Sequence, residues 1–183
     1  MEPFPHIYIE NIFNIDDFKK IISDSSICTI PSKNDSELFQ NLYQMGYKII
    51  DFPGCITSER EYLDWHKDKK LSKITNTSCE SFGLTLRLMS PESEILKQVK
   101  SFIESEEFIS SLARKFDINL DNVRADNGIQ KYLDGYEISP HPDVRKKALT
   151  YMVNINPHPD SEDLNHHTHY LNLKDKYKYI KSF

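Results

Sequence analysis

The chain has 183 residues, of which 38% are hydrophobic and 11% aromatic, enough apolar material for one folded core. We therefore predict a single domain over residues 1–183. Residues 1–126 would supply N-terminal strands and supporting helices, and residues 127–183 would supply the first part of a strand-rich core. The net charge of −5 and the pI near 5.8 give no basic field, so we expect no nucleic-acid partner.

The cysteines and the N-terminal residues indicate a cytoplasmic protein. Cys28, Cys55 and Cys79 are odd in number and widely spaced, which is typical of reduced thiols. The first residues are acidic and lack the basic and apolar regions of a secretory signal. No apolar run approaches the length of about 18 residues that a membrane-spanning helix needs, so we expect no membrane partner.

In chain order, the first predicted elements are a strand over residues 7–12 and a helix that follows it. Asn14 or Asp16 can cap this helix, whose apolar face consists of Phe18, Ile21 and Ile22. Residues 24–80 are mostly polar and contain several turn signals. Within them we predict only a strand over residues 47–52 and a short helix over residues 62–65.

A clearer pattern begins at residue 82. Residues 82–89 alternate between apolar and polar positions, which predicts a half-buried strand with Thr85 and Arg87 on its polar side. Ser90 then supplies an N-cap, with Pro91 in the first helical position. A second helix capped by Ser105 follows. Two helices before a run of strands indicate an α+β fold, with the helices packed on one outer face of a sheet.

From residue 128 onward the sequence predicts strands. Residues 147–155 alternate, with one face formed by Ala148, Thr150, Met152 and Asn154, and a more apolar face formed by Leu149, Tyr151, Val153 and Ile155. We expect the apolar face to meet the helices and the other face to border a pocket. Tyr132 would approach that pocket from the preceding strand.

The most informative motif is Pro-His-Pro-Asp at residues 140–143. Residues i and i+2 of a strand face the same side, with Cα atoms about 6.6 Å apart, so His141 and Asp143 can approach one point. The prolines cannot donate ladder hydrogen bonds, which favours a sheet rim or edge. One histidine and one carboxylate with open positions are two thirds of the triad that binds Fe(II) in non-haem oxygenases.

The same tetrapeptide recurs at residues 157–160, where it runs into an acidic stretch. No strand leads that second copy toward a pocket. We therefore predict a metal site at the first copy and a surface loop at the second. His6 and His66 are predicted to be structural or exposed.

Residues 131–157 resemble the iron- and 2-oxoglutarate-dependent dioxygenases of the prolyl hydroxylase type. In that family a tyrosine-containing strand leads to His-x-Asp, and a Lys-x-Leu-Thr-Tyr-like strand ending in Asn-Pro follows. Residues 3–13 are similar to the family's usual first strand. The resemblance implies a double-stranded β-helix of the jelly-roll or cupin type. It also implies Fe(II) and 2-oxoglutarate as cofactor and co-substrate, with ascorbate as a further candidate.

The resemblance also implies roles for individual residues. His141 and Asp143 would be metal ligands, and Tyr132, Met152 and Asn154 stand where family members contact 2-oxoglutarate. Asn154 replaces an aromatic hydroxyl that some relatives carry. The substrate class implied is a small molecule or a peptidyl side chain.

The third metal ligand is the part of the pattern that fits least well. Its candidates are His166, His167 and His169, with Lys174, Lys176 or Lys178 as the basic partner of 2-oxoglutarate. Their segment is more similar to the family's middle strand, which precedes the distal histidine. The β-helix is therefore expected to be incomplete, with the chain ending before that histidine and the basic residue.

Two functions remain open from the sequence. The first is a non-haem Fe(II) and 2-oxoglutarate-dependent oxygenase (hydroxylase), of which this chain would be a fragment. The alternative is a non-catalytic cupin-like binding module that lacks a complete metal site. A zinc site built from the three downstream histidines is disfavoured, because adjacent residues of a strand face opposite sides.

Overall fold

The computed structural model describes residues 5–28, 30–51, 56–68, 81–121, 123–138, 146–161, 163, 169–172 and 178–182. The helices are α1 (Ile15–Ser23), α2 (Asp35–Gln44), α3 (Glu59–Asp68), α4 (Glu94–Ile103) and α5 (Glu106–Phe116). The strands are β1 (Lys48–Ile49), β2 (Ser81–Phe82), β3 (Thr85–Leu88), β4 (Ile129–Tyr132), β5 (Glu137–Ile138), β6 (His169–Asn172) and β7 (Lys178–Ser182).

Four helices begin at side-chain caps. Asn14, Asn34, Ser93 and Ser105 each accept a hydrogen bond from the backbone amide three residues on, which satisfies a free donor of the first turn. The caps of α1 and α5 confirm the sequence prediction. The predicted cap at Ser90 is wrong, because α4 is capped by Ser93 and Pro91 is buried ahead of the helix.

The largest sheet has three antiparallel strands in the order β1-β3-β4. Strand β3 pairs with β4 over its whole length, so it joins the predicted N-terminal part of the chain to the C-terminal part. The predicted half-buried character of this strand is wrong at one position. Thr85 is buried, as are Leu84, Leu86 and Leu88. Strand β3 is the central strand of its sheet, and other parts of the chain cover the side chains on both of its faces at these positions.

Two hydrophobic clusters cover the strands. The tyrosine cluster joins α2, α3 and the sheet, and it consists of Phe39, Leu42, Tyr47, Tyr62, Leu84, Leu86, Leu88 and Leu133. The aliphatic cluster joins α1 and α4, and it consists of Ile21, Ile27 and Leu96. Partly buried Ile129 of β4 contacts both clusters.

Two predicted strands are wrong. Residues 7–12 form none, because Asn11 has φ of 55°, which breaks an extended run, and Ile7, Tyr8 and Ile9 are exposed. Residues 147–155 also form none, because no described neighbour supplies a hydrogen-bonded ladder.

The helices and antiparallel strands are consistent with the predicted α+β class, whereas the double-stranded β-helix stays a prediction. Strands β6 and β7 form a separate antiparallel pair, with a register shift between Tyr170 and Leu171. Cys28 forms no disulfide, and the other two cysteines lie outside the described residues. Among those residues no helix has the length and apolar character needed to cross a membrane.

Candidate metal site and the strands that lead to it

The two predicted metal ligands, His141 and Asp143, lie outside the described residues. The structure describes the chain up to Ile138 at the end of β5 and again from residue 146. The geometry available is therefore that of the strand entering the motif and of the segment leaving it. In the parts of the chain with described placement, no group of three or more metal-ligating side chains is present.

The approach to the motif is a long kinked ladder. Strand β3 pairs with β4, and β2 pairs with β5, so residues 81–88 run antiparallel to residues 129–138. At the kink, the Leu133 amide donates to the Leu84 carbonyl at 3.1 Å. The next pair is Phe82 with Glu137. Gly83 alone lies between these pairs on one strand, whereas Asp134, Gly135 and Tyr136 lie between them on the other.

We call Asp134, Gly135 and Tyr136 the β4–β5 bulge, since extra residues on one strand define a bulge. The Tyr136 amide closes it by donating to the Leu133 carbonyl at 3.0 Å. Gly135 has φ of 77°, which favours glycine. Gly83 has φ of 74°, and a Cβ there would lie 2.6 Å from the Tyr136 backbone. The glycines therefore permit both the turn and the close approach of the strands.

Helix α3 packs directly on this bulge. The Tyr62 hydroxyl donates to the Asp134 carbonyl at 3.2 Å, and the Tyr62 ring is buried. The Trp65 ring lies so close to Gly135 that a Cβ on that glycine would be 2.0 Å from indole Cη2. One helix thus holds the bulge through a hydrogen bond on one residue and an aromatic contact on the next.

His66 of the same helix connects three elements. Its Nδ1 lies 2.6 Å from Asp35 Oδ2 at the start of α2, and its Nε2 lies 2.9 Å from Asp134 Oδ2 in the bulge. The ring also stacks on Tyr62, with 5.2 Å between ring centroids. The prediction of a structural role for His66 is confirmed by these contacts. Its partners, 31 and 68 residues away, give no local sequence signal.

Tyr132, a predicted 2-oxoglutarate contact, ends β4 immediately before the bulge. The residue is 50% exposed, and its ring makes a tilted contact with the Tyr136 ring, with 4.3 Å between ring centroids. Its hydroxyl donates to the Gln130 side-chain oxygen. The phenol therefore stands at the surface beside the bulge, where a ligand could reach it.

Residues 147–155 keep the predicted alternation of exposure although they form no strand. Leu149, Tyr151, Val153 and Ile155 are half-buried, whereas Met152 is 57% exposed and Asn154 is also exposed. Tyr151 makes an edge-to-face contact with Phe108 of α5, and its hydroxyl donates to Asn127. Ile155 packs against the aliphatic cluster. The prediction that the apolar face meets the helices is confirmed.

The second Pro-His-Pro-Asp copy forms an exposed turn. The Asp160 amide donates to His158 Nδ1 at 3.2 Å, and the Ser161 amide donates to the His158 carbonyl at 3.1 Å. Both side chains face solvent. The prediction of a surface loop at this copy is confirmed.

The candidates for a third ligand and its basic partner belong to the last part of the chain. His166, His167, Lys174 and Lys176 lie outside the described residues. His169 begins β6 and Lys178 begins β7, so the described part of this segment is an antiparallel strand pair.

Sequence reasoning missed Lys131, the residue before Tyr132. Its ammonium group donates to the Ile27 carbonyl at 2.9 Å and lies 5.5 Å from the centre of the Tyr47 ring. Burial lowers the pKa of this lysine. In the alternation of β4, Lys131 lies on the same side as Ile129 and Leu133. That spacing in the sequence could have predicted its partial burial. Its contacts indicate a tie between β4 and the loop after α1.

Comparison with protein-family models, with curated proteins and with solved structures finds no match for this chain. Any proposal about function therefore rests on the chemistry and contacts of this chain's own residues.

Proposed function

We propose that the chain belongs to a non-haem Fe(II)- and 2-oxoglutarate-dependent oxygenase, in which His141 and Asp143 hold the metal. The donor set fits this metal, because one imidazole nitrogen and one carboxylate oxygen match the ligands that non-haem Fe(II) sites use. With 2-oxoglutarate and O₂, a bound Fe(II) supplies the oxidation of a C–H bond to an alcohol, with release of succinate and CO₂. The proposed core is a double-stranded β-helix.

One observation carries the proposal. Directly after the His-x-Asp motif, residues 147–155 turn their apolar side toward the helices and leave Met152 and Asn154 open on the other side. A segment that lines a cofactor pocket and is backed by helices needs this division, and residues 147–155 show it without forming a strand pair. The exposed phenol of Tyr132 at the end of β4 adds a hydrogen-bond donor next to the strand that leads into the motif.

The roles of the chain's own residues follow from their chemistry. Asn154 would donate a hydrogen bond to a 2-oxoglutarate carboxylate, Tyr132 would do so by exchanging its Gln130 partner for the carboxylate, and Met152 would contact the methylene groups. The buried tyrosine cluster would keep β3 and β4 rigid, so that the strand entering the motif has a fixed direction. We expect a small molecule or a peptidyl side chain as the substrate.

The repeated tetrapeptide provides a matched control within one chain. Under anaerobic conditions, Fe(II) and 2-oxoglutarate should produce the visible charge-transfer band of their chelate when added to the protein. His141→Ala should weaken Fe(II) binding by about 100-fold or more, because loss of even an outer-shell partner costs about 10- to 100-fold. His158→Ala removes the same residue from the same tetrapeptide and should leave the binding curve unchanged.

The carboxylates give a second matched pair, Asp143→Ala and Asp160→Ala, with the same expected contrast. Equal effects from the two copies, or no Fe(II)-dependent band with the unaltered chain, would contradict the proposal. A thermal shift produced by 2-oxoglutarate without Fe(II), together with no band, would favour the non-catalytic binding module. Succinate release that depends on Fe(II) and 2-oxoglutarate would extend the result from binding to turnover.

A further inference from the structure

We propose that His66 is a pH-operated clamp on the β4–β5 bulge, closed when its ring is protonated on both nitrogens and open on the Asp134 side when it is neutral. The inference does not depend on the proposed function, since it concerns how α2, α3 and the bulge are joined. It assigns a regulatory role to a side chain that stands outside the candidate metal site.

The protonation state follows from the two contacts. Nδ1 and Nε2 lie at hydrogen-bond distance from two different carboxylates, Asp35 and Asp134. An ionised carboxylate can only accept, and a neutral imidazole has a single N–H. Both contacts are therefore hydrogen bonds at once only when the ring is an imidazolium. Asp35 faces it from α2, Asp134 faces it from the bulge, and Tyr62 stacks on it from α3 itself.

The two carboxylates differ in how easily they return to water. The Asp35 side chain is 34% exposed, whereas the Asp134 side chain is 70% exposed. When the ring loses a proton, one nitrogen lone pair must face a carboxylate. Asp134 can be rehydrated at lower cost, because less of it is buried. The neutral ring should therefore keep its N–H on Asp35 and release Asp134.

The release acts on the bulge alone. The described contacts between Asp134 and α3 include the His66 contact and the Tyr62 hydroxyl on its carbonyl, and opening the clamp removes the His66 contact. The α2–α3 connection through Asp35 remains. Histidine is the side chain whose ordinary ionisation lies nearest to neutral pH, which is the property that such a clamp requires. The strand end that leads toward residue 139 then loses its His66 contact and keeps the Tyr62 hydrogen bond.

The chain contains its own reporter for the test. Trp65 is the single tryptophan, and its ring centre lies 5.9 Å from that of His66. An imidazolium quenches indole fluorescence more strongly than an imidazole, so emission from the whole protein should rise with pH in one histidine transition. Hydrogen exchange at the Tyr136 amide, which closes the bulge, should show protection that falls about two- to fivefold across that transition, the size expected for a partly exposed ion pair.

Three variants separate the clamp from general effects of pH. His66→Gln should remove both transitions. Asp134→Asn should move the fluorescence midpoint to lower pH and abolish the pH dependence at Tyr136, because an amide can either accept from the charged ring or donate to the neutral one. Asp126→Asn is the matched control, since Asp126 is 74% exposed and paired to Arg87 at 3.2 Å, and it should change neither signal.

The proposal is overturned if protection at Tyr136 does not depend on pH in the unaltered protein, or if the dependence survives in His66→Gln. Asp134→Asn changes only a surface group and should fold, so it decides the question even where His66→Gln unfolds. The readouts involve neither Fe(II) nor turnover, and the result is therefore independent of the oxygenase proposal.

Discussion

The tyrosine cluster and the aliphatic cluster both contact Ile129 of β4, yet their construction differs. In the first, Tyr47 and Tyr62 are buried with their hydroxyls donating to the carbonyls of Ser26 and Asp134. The second has a buried centre of two isoleucines and a leucine, without a titratable group. Hydrogen-bonded phenols fix the direction of packing, and they also make one cluster sensitive to pH.

The largest expected effect tests whether the clusters differ in rigidity. Leu86→Ala in the central strand should cost about 4 kcal/mol of unfolding free energy, because its neighbours on β1 and β4 are fixed by ladder hydrogen bonds and cannot fill the cavity. Leu96→Ala should cost about 2.5 kcal/mol, since the partly exposed side chains around it can relax. Urea unfolding at neutral pH measures both. A larger loss from Leu96→Ala than from Leu86→Ala would reverse the comparison.

The next effect is the alkaline sensitivity of the tyrosine cluster. Burial, with a smaller contribution from Asp24, raises the pKa of Tyr47 to about 12, from an ordinary value of 10.0. Above pH 10 the unfolded chain loses this proton while the folded chain keeps it, so rising pH favours unfolding. Tyr47 alone should contribute a loss of about 1.4 kcal/mol per pH unit until its folded pKa is reached.

Tyr47→Phe provides the check. It should destabilise the protein by about 1 kcal/mol at neutral pH, because the Ser26 carbonyl loses its donor, yet reduce the slope of stability against pH above 10. Burial also raises the pKa of Tyr62, so a residual slope is expected. Chemical denaturation at a series of pH values gives the slopes. An unchanged slope in Tyr47→Phe would show that the phenol does not control this response.

The smallest expected effect on stability comes from the N-caps of α2 and α4. Helix α2 contributes Phe39 and Leu42 to the tyrosine cluster, and α4 contributes Leu96 to the aliphatic cluster. Asn34→Ala removes the cap of α2, whose bond to the Glu37 amide is 3.0 Å, and should cost about 1 kcal/mol. Ser93→Ala removes the longer 3.4 Å cap of α4 and should cost about 0.5 kcal/mol. Thermal unfolding resolves this difference. Equal losses of stability would mean that the length of the capping hydrogen bond does not distinguish the two helices.

The sequence predicted those parts of the fold that depend on local signals. Asn14 and Ser105 precede apolar residues at helical spacing, and the helices begin there. Helix α2 was missed because its apolar residues lie among asparagine and glutamine side chains. The available signal was Asn34 followed three residues later by Glu37.

Contacts between distant residues were the part that sequence could not provide. Nothing near Tyr62 or His66 in the chain indicates that Asp134 will face them, because a fold brings these residues together only after the strands pair. For the candidate site, the pattern predicted His141 and Asp143, which stay a prediction, and the division of residues 147–155, which is confirmed. It could not supply a third ligand, because a ligand from another strand has no fixed spacing from the first two.

The surplus of two residues in the β4–β5 bulge also has a consequence for protein engineering. Successive side chains of a strand face opposite sides of the sheet, so an even number of extra residues leaves each later side chain on the same side as before. Removing one residue there would invert inside and outside for the rest of the strand, whereas removing two would straighten the ladder and preserve them. Length changes at this point should therefore disturb the alternation less when they come in pairs.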